Sequence, residues 1–520
     1  MEKPKHDSNQ IDTVGRWVLF ATISASSMAF VGGSALSVAL PAIQEDLGSS
    51  GGDLLWIINS FALFLAALLL VGGSLSDHFG RKKIYIIGIL IFTGASAASG
   101  LAPTTAMLIV ARSIQGIGGA LMIPGSLAII SAYFDNHTRG KAIGIWSAAT
   151  TTLSVAGPIL GGFLAERGLW RVIFYINIPL AILAIYALWR YVPESYDEEA
   201  PRELDYAGAL LVILGMAGIT YGAIGIGEAG VAGFTRLDLM GALLGGLILL
   251  VVFIRWEKRS SHPLMPLDLF HSRTFTGANF LTFLLYGALG GGLFFVPLNL
   301  IQVQGYSATF AGFAWLPMTL LLIVMSPRMG TFVDKYGFRL PLTVGPIIVG
   351  IAFVALSIPG ITTGPTAFWW TFFPGILLLG IGMGIVLTPL STSVMGSVPQ
   401  HSAGIASGIN NEMSRSSQVL ATSILGGLAL ILFSSILSSN IVDLSLPEAT
   451  QSQIIDSSQN LGNTSTPDTL NEEQQTAVSN AIHLSFVSMF RIVMWVAAVM
   501  SWMSACIAAF FIEKELPLVE

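Results

Sequence analysis

The sequence predicts an all-α, polytopic membrane protein with fourteen transmembrane helices: two six-helix bundles plus two additional helices. Three observations carry that prediction. The 520 residues are 53% hydrophobic and only 10% charged, with a mean hydropathy of +0.74. A soluble globular chain carries roughly 25% charged residues, so too few charges remain here to cover a water-facing surface. Apolar runs of membrane length recur along the whole chain. A polar loop after the second run, GGSLSDHFGRKK (72–83), returns in altered form after the tenth as GTFVDKYGFRLP (330–341).

A helix needs about twenty apolar residues to cross the hydrocarbon layer. Taken in order, the first six runs cover about 17–40, 54–75, 84–101, 106–131, 142–164 and 172–191. Two more follow at about 206–227 and 236–256. The last six cover about 275–302, 308–331, 341–359, 369–391, 403–436 and 485–512. The first begins at Trp17 behind a polar tail and lacks a small-residue cleavage pattern, so it reads as a retained span. Backbone polar groups do not go unpaired in lipid, and no run shows the period-two alternation of a barrel strand, so all are helices. The expected units are 1–195 (six-helix bundle), 196–265 (two additional helices) and 266–520 (six-helix bundle), the last carrying a long extracytoplasmic loop at 438–484.

An even number of spans puts both termini on one side, and the basic residues choose that side. With a cytoplasmic N-terminus, the inner loops hold about seventeen Lys and Arg, among them Lys3, Lys5, Arg16, Arg81, Lys82, Lys83, Arg139, Lys141, Arg255, Lys258, Arg259, Lys335 and Arg339. About three, Arg167, Arg171 and Arg236, fall outside. Loop 438–484 has no Lys or Arg but carries Asp443, Glu448, Asp456, Asp468, Glu472 and Glu473. The expectation is a multi-pass protein of the cell membrane with both termini cytoplasmic. Its acidic outer loop, rich in Ser, Thr, Asn and Gln, reads as mobile.

Several classes of function are disfavoured. The net charge of −6 and the absence of a basic run give no footprint for nucleic acid. The single cysteine, Cys506, leaves no intramolecular disulfide framework. The histidines fall in loops or tails without metal-ligand spacing. Gly380-x-Gly382-x-Gly384 and Gly290-Gly291-Gly292 lie inside spans with no strand before them, so they are not phosphate loops. Without a nucleophile–base pair either, the expectation is a non-enzyme with no cofactor or metal, monomeric, whose partners are the lipid bilayer, a small molecule and protons.

The repeated loop points further. Gly73, Leu75, Asp77, Gly80 and Arg81 align with Gly330, Phe332, Asp334, Gly337 and Arg339, at the same point of equivalent halves. Repeats related by an axis along the membrane normal are a transporter architecture, with the substrate site between them near the midplane. Asp77 is placed to accept hydrogen bonds from a neighbouring helix N-terminus, and Arg81 to pair with an acid on the next helix. Such clamps hold one face closed and release it when the bundles rock.

Gly73-x-Leu75-x-Asp77-His78-x-Gly80-Arg81-Lys82 resembles the loop 2–3 signature of the major facilitator superfamily. Leu108-x-x-x-Arg112-x-x-Gln115-Gly116-x-Gly118-Gly119-Ala120 resembles its fourth-helix motif. Gly157-Pro158-x-x-Gly161-Gly162 resembles the fifth-helix motif of its exporters, with Leu153 where another Gly is usual. Trp170-Arg171-x-Ile173-Phe174-Tyr175-Ile176-Asn177-x-Pro179, Leu204-Asp205-x-x-Gly208, Pro266-Leu267-x-Leu269-Phe270 and Ala406-Ser407-Gly408-x-Asn410-Asn411 are similar to its fourteen-helix drug:proton antiporter branch, the EmrB/QacA-type multidrug exporters. The resemblance implies the major facilitator fold and proton-driven export of hydrophobic, often cationic, compounds by alternating access. One departure matters. Gly32 falls where that branch commonly has a membrane-embedded Asp in the first helix, so an importer, uniporter or lipid translocator of the same fold stays open.

Ionisable groups deep in a span are costly and default to functional candidates. Arg112 lies about a turn and a half into span 4, with Gln115, Gly116 and Gly119 on the same face and its head expected in the cavity. The resemblance ties this arginine to proton coupling. Glu412, about ten residues into span 13, is the other coupling candidate; a fixed ion pair with Arg415 at i+3 is the competing reading. Gly157, Pro158, Gly161 and Gly162 read as close packing, which the resemblance places at the interface of the bundles. The expected cavity wall includes Trp56, Asn59, Gln115, Trp146, Tyr286, Phe294, Asn299, Trp315, Met383, Asn411 and Arg415, apolar faces with a few polar groups.

Overall fold

The computed structural model describes residues 11–135, 138–196, 205–444, 446–467 and 469–513, without the side chains of Asp334 and His401. Lys3, Lys5, Leu204 and Asp468 therefore lie outside the described residues.

Among the described residues, fourteen helices are long and apolar enough to cross a membrane. They are α1 (Thr13–Leu47), α2 (Gly51–Phe79), α3 (Arg81–Gly100), α4 (Thr105–Tyr133), α5 (Arg139–Glu166), α6 (Val172–Tyr191), α7 (Tyr206–Thr235), α8 (Leu237–Glu257), α9 (Arg273–Val303), α10 (Ala308–Val333), α11 (Arg339–Ser357), α12 (Pro365–Gly396), α13 (Ala403–Val442) and α14 (Glu472–Phe511). Their ends obey local rules. Ser50 and Asp53 form a capping box at the start of α2, and Asn471 and Gln474 form one at α14.

The two halves repeat their packing. In the first, α1 packs on α5 and α6, α4 on α2 and α3, and α3 on α6. In the second, α9 packs on α13 and α14, α12 on α10 and α11, and α11 on α14. Even the loop glycines match: Gly80 (φ 108) and Gly337 (φ 77) both take positive φ where one helix turns into the next. This is the arrangement of two six-helix bundles that the sequence predicts.

The two additional helices pack differently. Helix α8 is mostly exposed, but α7 packs against α2 of one half and α13 of the other. A Cβ on Gly427 of α13 would lie 2.1 Å from the carbonyl oxygen of Ala223 in α7, so these helices meet backbone to backbone. Among its described residues the acidic stretch at 438–484 is packed, which corrects the expectation of a mobile loop. It holds a short helix, Glu448–Asp456, and buries Leu446, Ile454, Leu461 and Leu470. Apolar anchors spaced along a polar segment are enough to fix it.

That segment lies across the end of the molecule where α1 ends and α2 begins. Gln44 donates to the Asn460 carbonyl at 3.1 Å and accepts from Gln302 at 2.7 Å, tying α1, α9 and the segment together.

Candidate functional site

At that capped end the halves meet along α5 and α10. In α5, Gly157 and Gly161 let α1 approach: a Cβ would lie 2.0 Å from Ser34 Oγ and 2.1 Å from the Ala35 carbonyl, respectively. Gly162 faces the opposite half, where a Cβ would meet the Ala308 carbonyl at 2.1 Å. Gly312 returns the contact, with the Pro158 carbonyl 2.3 Å from its Cβ position. Alongside, Glu166 accepts from the Thr309 amide at 3.2 Å. Within the exporter-like motif, Gly157 and Gly161 thus seat α5 on α1 of its own half, while Gly162, with Gly312 opposite, forms a seam between the bundles, each glycine removing a methyl that the approach has no room for. On the other side, Asn59 of α2 donates to Ser423 of α13 at 3.2 Å, and Ser423 donates to Thr220 of α7 at 3.2 Å. All three are buried.

Towards the opposite end, bearing loops 77–81 and 334–339, the packing of α5 on α10 ends: it is carried by Ala308–Phe313, whereas Leu316–Tyr336, which continues α10, packs on α12. Thr151, Thr152 and Leu153 of α5 are exposed, as are Leu320, Ile323 and Val324 of α10. On the α2–α13 side, Gly408 still lies near Leu70, 3.5 Å from its Cβ position. The structure is closed at the capped end and parted at the loop end along α5 and α10.

At the loop end, Gly73 faces Pro124 of α4, and its counterpart Gly330 faces Thr388 of α12. Arg81 pairs with Asp77 itself at 2.7 Å, across the α2–α3 turn. The group that accepts from the start of α3 is Glu194, which follows α6: its oxygens take the Lys82 amide at 2.8 Å and the Lys83 amide at 3.1 Å. A carboxylate there satisfies orphan amides and favours the helix dipole. Asp77 holds Arg81, and Glu194 caps the start of α3. Glu194 escaped sequence reading because nothing in VPES marks which helix it reaches. In the second half Arg339 is exposed; the side chain of Asp334 lies outside the described residues.

Arg112 is 2% exposed and turns into the first bundle instead of the cavity. It donates to Gln115 Oε1 at 2.7 Å and to the Ile57 carbonyl of α2 at 3.4 Å, and its guanidinium sits 4.3 Å from the Phe61 ring centre. Gly116 lets α2 come close enough for this. Glu412 accepts from Ser416 Oγ at 2.6 Å, while its Oε2 is buried with no hydrogen-bond partner. Ser416 also contacts Met216 Sδ of α7 at 3.5 Å, so this side of α13 faces the α7 seam. Among the described residues Arg415 has no carboxylate within ion-pair distance; the fixed Glu412–Arg415 pair is not formed. Asn411, Arg415 and Gln418 share another face of the helix, which borders α9 at Gly290. Arg491 of α14 donates to the Ser357 carbonyl at 3.1 Å, closing the end of α11.

The expected cavity residues divide. Trp56, Tyr286 and Trp315 are half-buried at the edge of the apolar core, and Asn411 is exposed. Asn59 is held by Ser423, Gln115 by Arg112, and Trp146 donates to Ser26 at 3.3 Å. Asn299 accepts from Gln304 at 3.2 Å. Phe294 and Met383 are buried core. In this state those six are structural neighbours of the seam and bundles, not open surface. At Gly32 and Gly33 nothing lies within 4 Å of a Cβ position, so no local group fills the place of the missing Asp. Among the described residues no cluster of three metal-ligating side chains occurs.

The comparisons fit this architecture. Over 506 residues the chain is 30% identical to the tetracenomycin C resistance and export protein of Streptomyces glaucescens, covering 96% of this chain and 91% of that protein. It is 31% identical to the multidrug resistance protein Stp of Mycobacterium tuberculosis, covering 84% and 80%. It is also 31% identical to the puromycin resistance protein pur8 of Streptomyces alboniger, covering 79% and 80%. Among solved structures it shares its fold with a bacterial homologue of the human lysosomal transporter Spinster, at TM-score 0.61 and 19% identity over 98% of this chain and all of the other. The xylose transporter XylE of E. coli aligns at TM-score 0.57 and 14% identity, covering 96% and 97%. The Major Facilitator Superfamily model matches residues 22–422, and the chain belongs to that family of membrane transporters.

Proposed function

We propose that the protein is a secondary active exporter. It expels hydrophobic or amphipathic small molecules in exchange for protons by alternating access between 1–195 and 266–520, with 196–265 bridging them. The observation that carries this reading is the pairing of a glycine-lined seam at one end with separated α5 and α10 at the other. Packed interfaces of this kind are bistable, not continuously deformable. The names of the relatives, resistance and export proteins for tetracenomycin C, puromycin and multiple drugs, support export as the direction. Glu412 is assigned proton coupling, since its free Oε2 is ready to carry a proton, with Arg112 a second participant through α2. Gating belongs to Gly73, Asp77, Gly80 and Arg81 and to Asp334 and Arg339. Substrate meets Trp56, Tyr286, Trp315, Asn411 and Arg415. We place the protein in the cell membrane as a monomer with both termini cytoplasmic.

The second reading, an importer, uniporter or lipid translocator, is favoured by one observation: the unfilled space at Gly32. Measuring proton release from the purified protein as a transported drug is added separates the two. Release that tracks drug binding is expected; no release at any pH would remove antiport. Survival of an efflux-deficient host across a panel of toxic compounds would supply the drug.

A further inference from the structure

The start of α7 and the end of α8 carry two carboxylates that the transport reading does not use. Asp205 caps α7, its Oδ1 accepting from the Gly208 amide at 2.7 Å. Both of its oxygens also accept from Trp256 Nε1 at 2.9 Å. Glu257, the last residue of α8, is 2% exposed. Its Oε2 accepts from the Met265 amide at 2.8 Å, but its Oε1 is buried with no donor.

The two side chains converge on Gly208. A Cβ there would lie 2.7 Å from Glu257 Oε1 and 2.8 Å from Asp205 Oδ2, so the two carboxyl groups lie against the same backbone position. The neighbouring cations of α8, Arg255, Lys258 and Arg259, are exposed. Among the described residues none lies within ion-pair distance of either carboxylate. The facing groups from α7 and from 264–265 are backbone amides. Every carboxylate oxygen of the cluster except Glu257 Oε1 already accepts a hydrogen bond, and two carboxylates this close and shielded from water repel each other unless they share a proton.

We propose that Asp205 and Glu257 form a proton-binding site, with one proton on Glu257 Oε1 donated to Asp205 Oδ2. The shared proton ties the start of α7 to the end of α8 and to the 258–266 segment, at the loop end of a helix that spans the seam. The site stands apart from Glu412 and does not depend on antiport.

The test is infrared spectroscopy of the purified full-length protein at neutral pH. Subtracting the spectrum of Glu257→Gln from that of the wild type should reveal one protonated-carboxyl band that shifts on deuteration. Asp205→Asn should remove the same band, because its amide takes over as donor and Glu257 ionises. The double variant should lose no more than one, and Glu412→Gln should keep it. Loss of ionised-carboxylate absorbance alone in Glu257→Gln would overturn the proposal. Thermal unfolding gives an independent readout: Glu257→Gln should melt with the wild type, since its amide also donates to Asp205, while Glu257→Ala should melt lower. Stabilisation by sodium or calcium chloride beyond choline chloride, lost in Glu257→Gln, would assign a metal cation and overturn the proton.

Discussion

Replacing Glu412 with Gln is expected to abolish export driven by a pH gradient while leaving the fold intact. The Gln oxygen keeps the hydrogen bond from Ser416, which spans 2.6 Å in the native side chain. No ion pair is lost, because Arg415 is not within bonding distance among the described residues. What disappears is a buried carboxylate oxygen of α13 that has no hydrogen-bond partner and can take a proton. A proton moving across 100 mV supplies about 2.3 kcal/mol, or roughly a 50-fold accumulation ratio. In reconstituted vesicles the variant should fall to an accumulation ratio of about one, with exchange of labelled for unlabelled drug retained. Gradient-driven transport at the wild-type rate would show that Glu412 is structural.

The second large effect is expected at Gly162→Val. The added Cβ would sit 2.1 Å from the Ala308 carbonyl, and a backbone atom of the other half cannot yield as a side chain can. Overpacking of this kind costs about 1–3 kcal/mol, and each 1.4 kcal/mol is a tenfold change in population. The penalty falls on the capped-end closure alone, so the helices form but the closed state is depleted. With Cys506→Ser as background, cysteines at Glu166 and Thr309, which touch across the seam, should cross-link several-fold less in the valine variant. Gly144→Val, where nothing lies within 4 Å of the Cβ position, should cross-link like the parent. Equal yields in all three would remove the seam from the mechanism.

The parts of this molecule legible in the sequence are those set by solvent and by local rule. Span number and order followed from hydropathy, since lipid admits only apolar helices. The Gly73–Arg81 and Gly330–Arg339 loops aligned because each half reuses one turn geometry. Gly157, Gly161 and Gly162 read as close packing from their spacing. What stayed hidden was partner choice between elements far apart in sequence. The fourth-helix spacing put Arg112 on the right face, but not its rotation onto Phe61 and α2. Nothing in the composition of α7 distinguishes a helix that spans the seam from one that faces lipid, since Gly215, Gly222 and Gly227 serve either role. The polarity of 438–484 suggested a mobile loop, and only the burial of Ile454 and Leu461 reveals anchors that sequence alone leaves among acidic neighbours.

The central claim is that the halves pivot about the seam, closing one end as the other opens. Spin-label distances test it, with one pair at Phe79 and Tyr336 on the loop end and another at Leu169 and Trp370 on the capped end, all exposed. During turnover with drug and a pH gradient, the first separation should shorten while the second lengthens. Two distances that stay fixed, or that change in the same sense, would contradict the account.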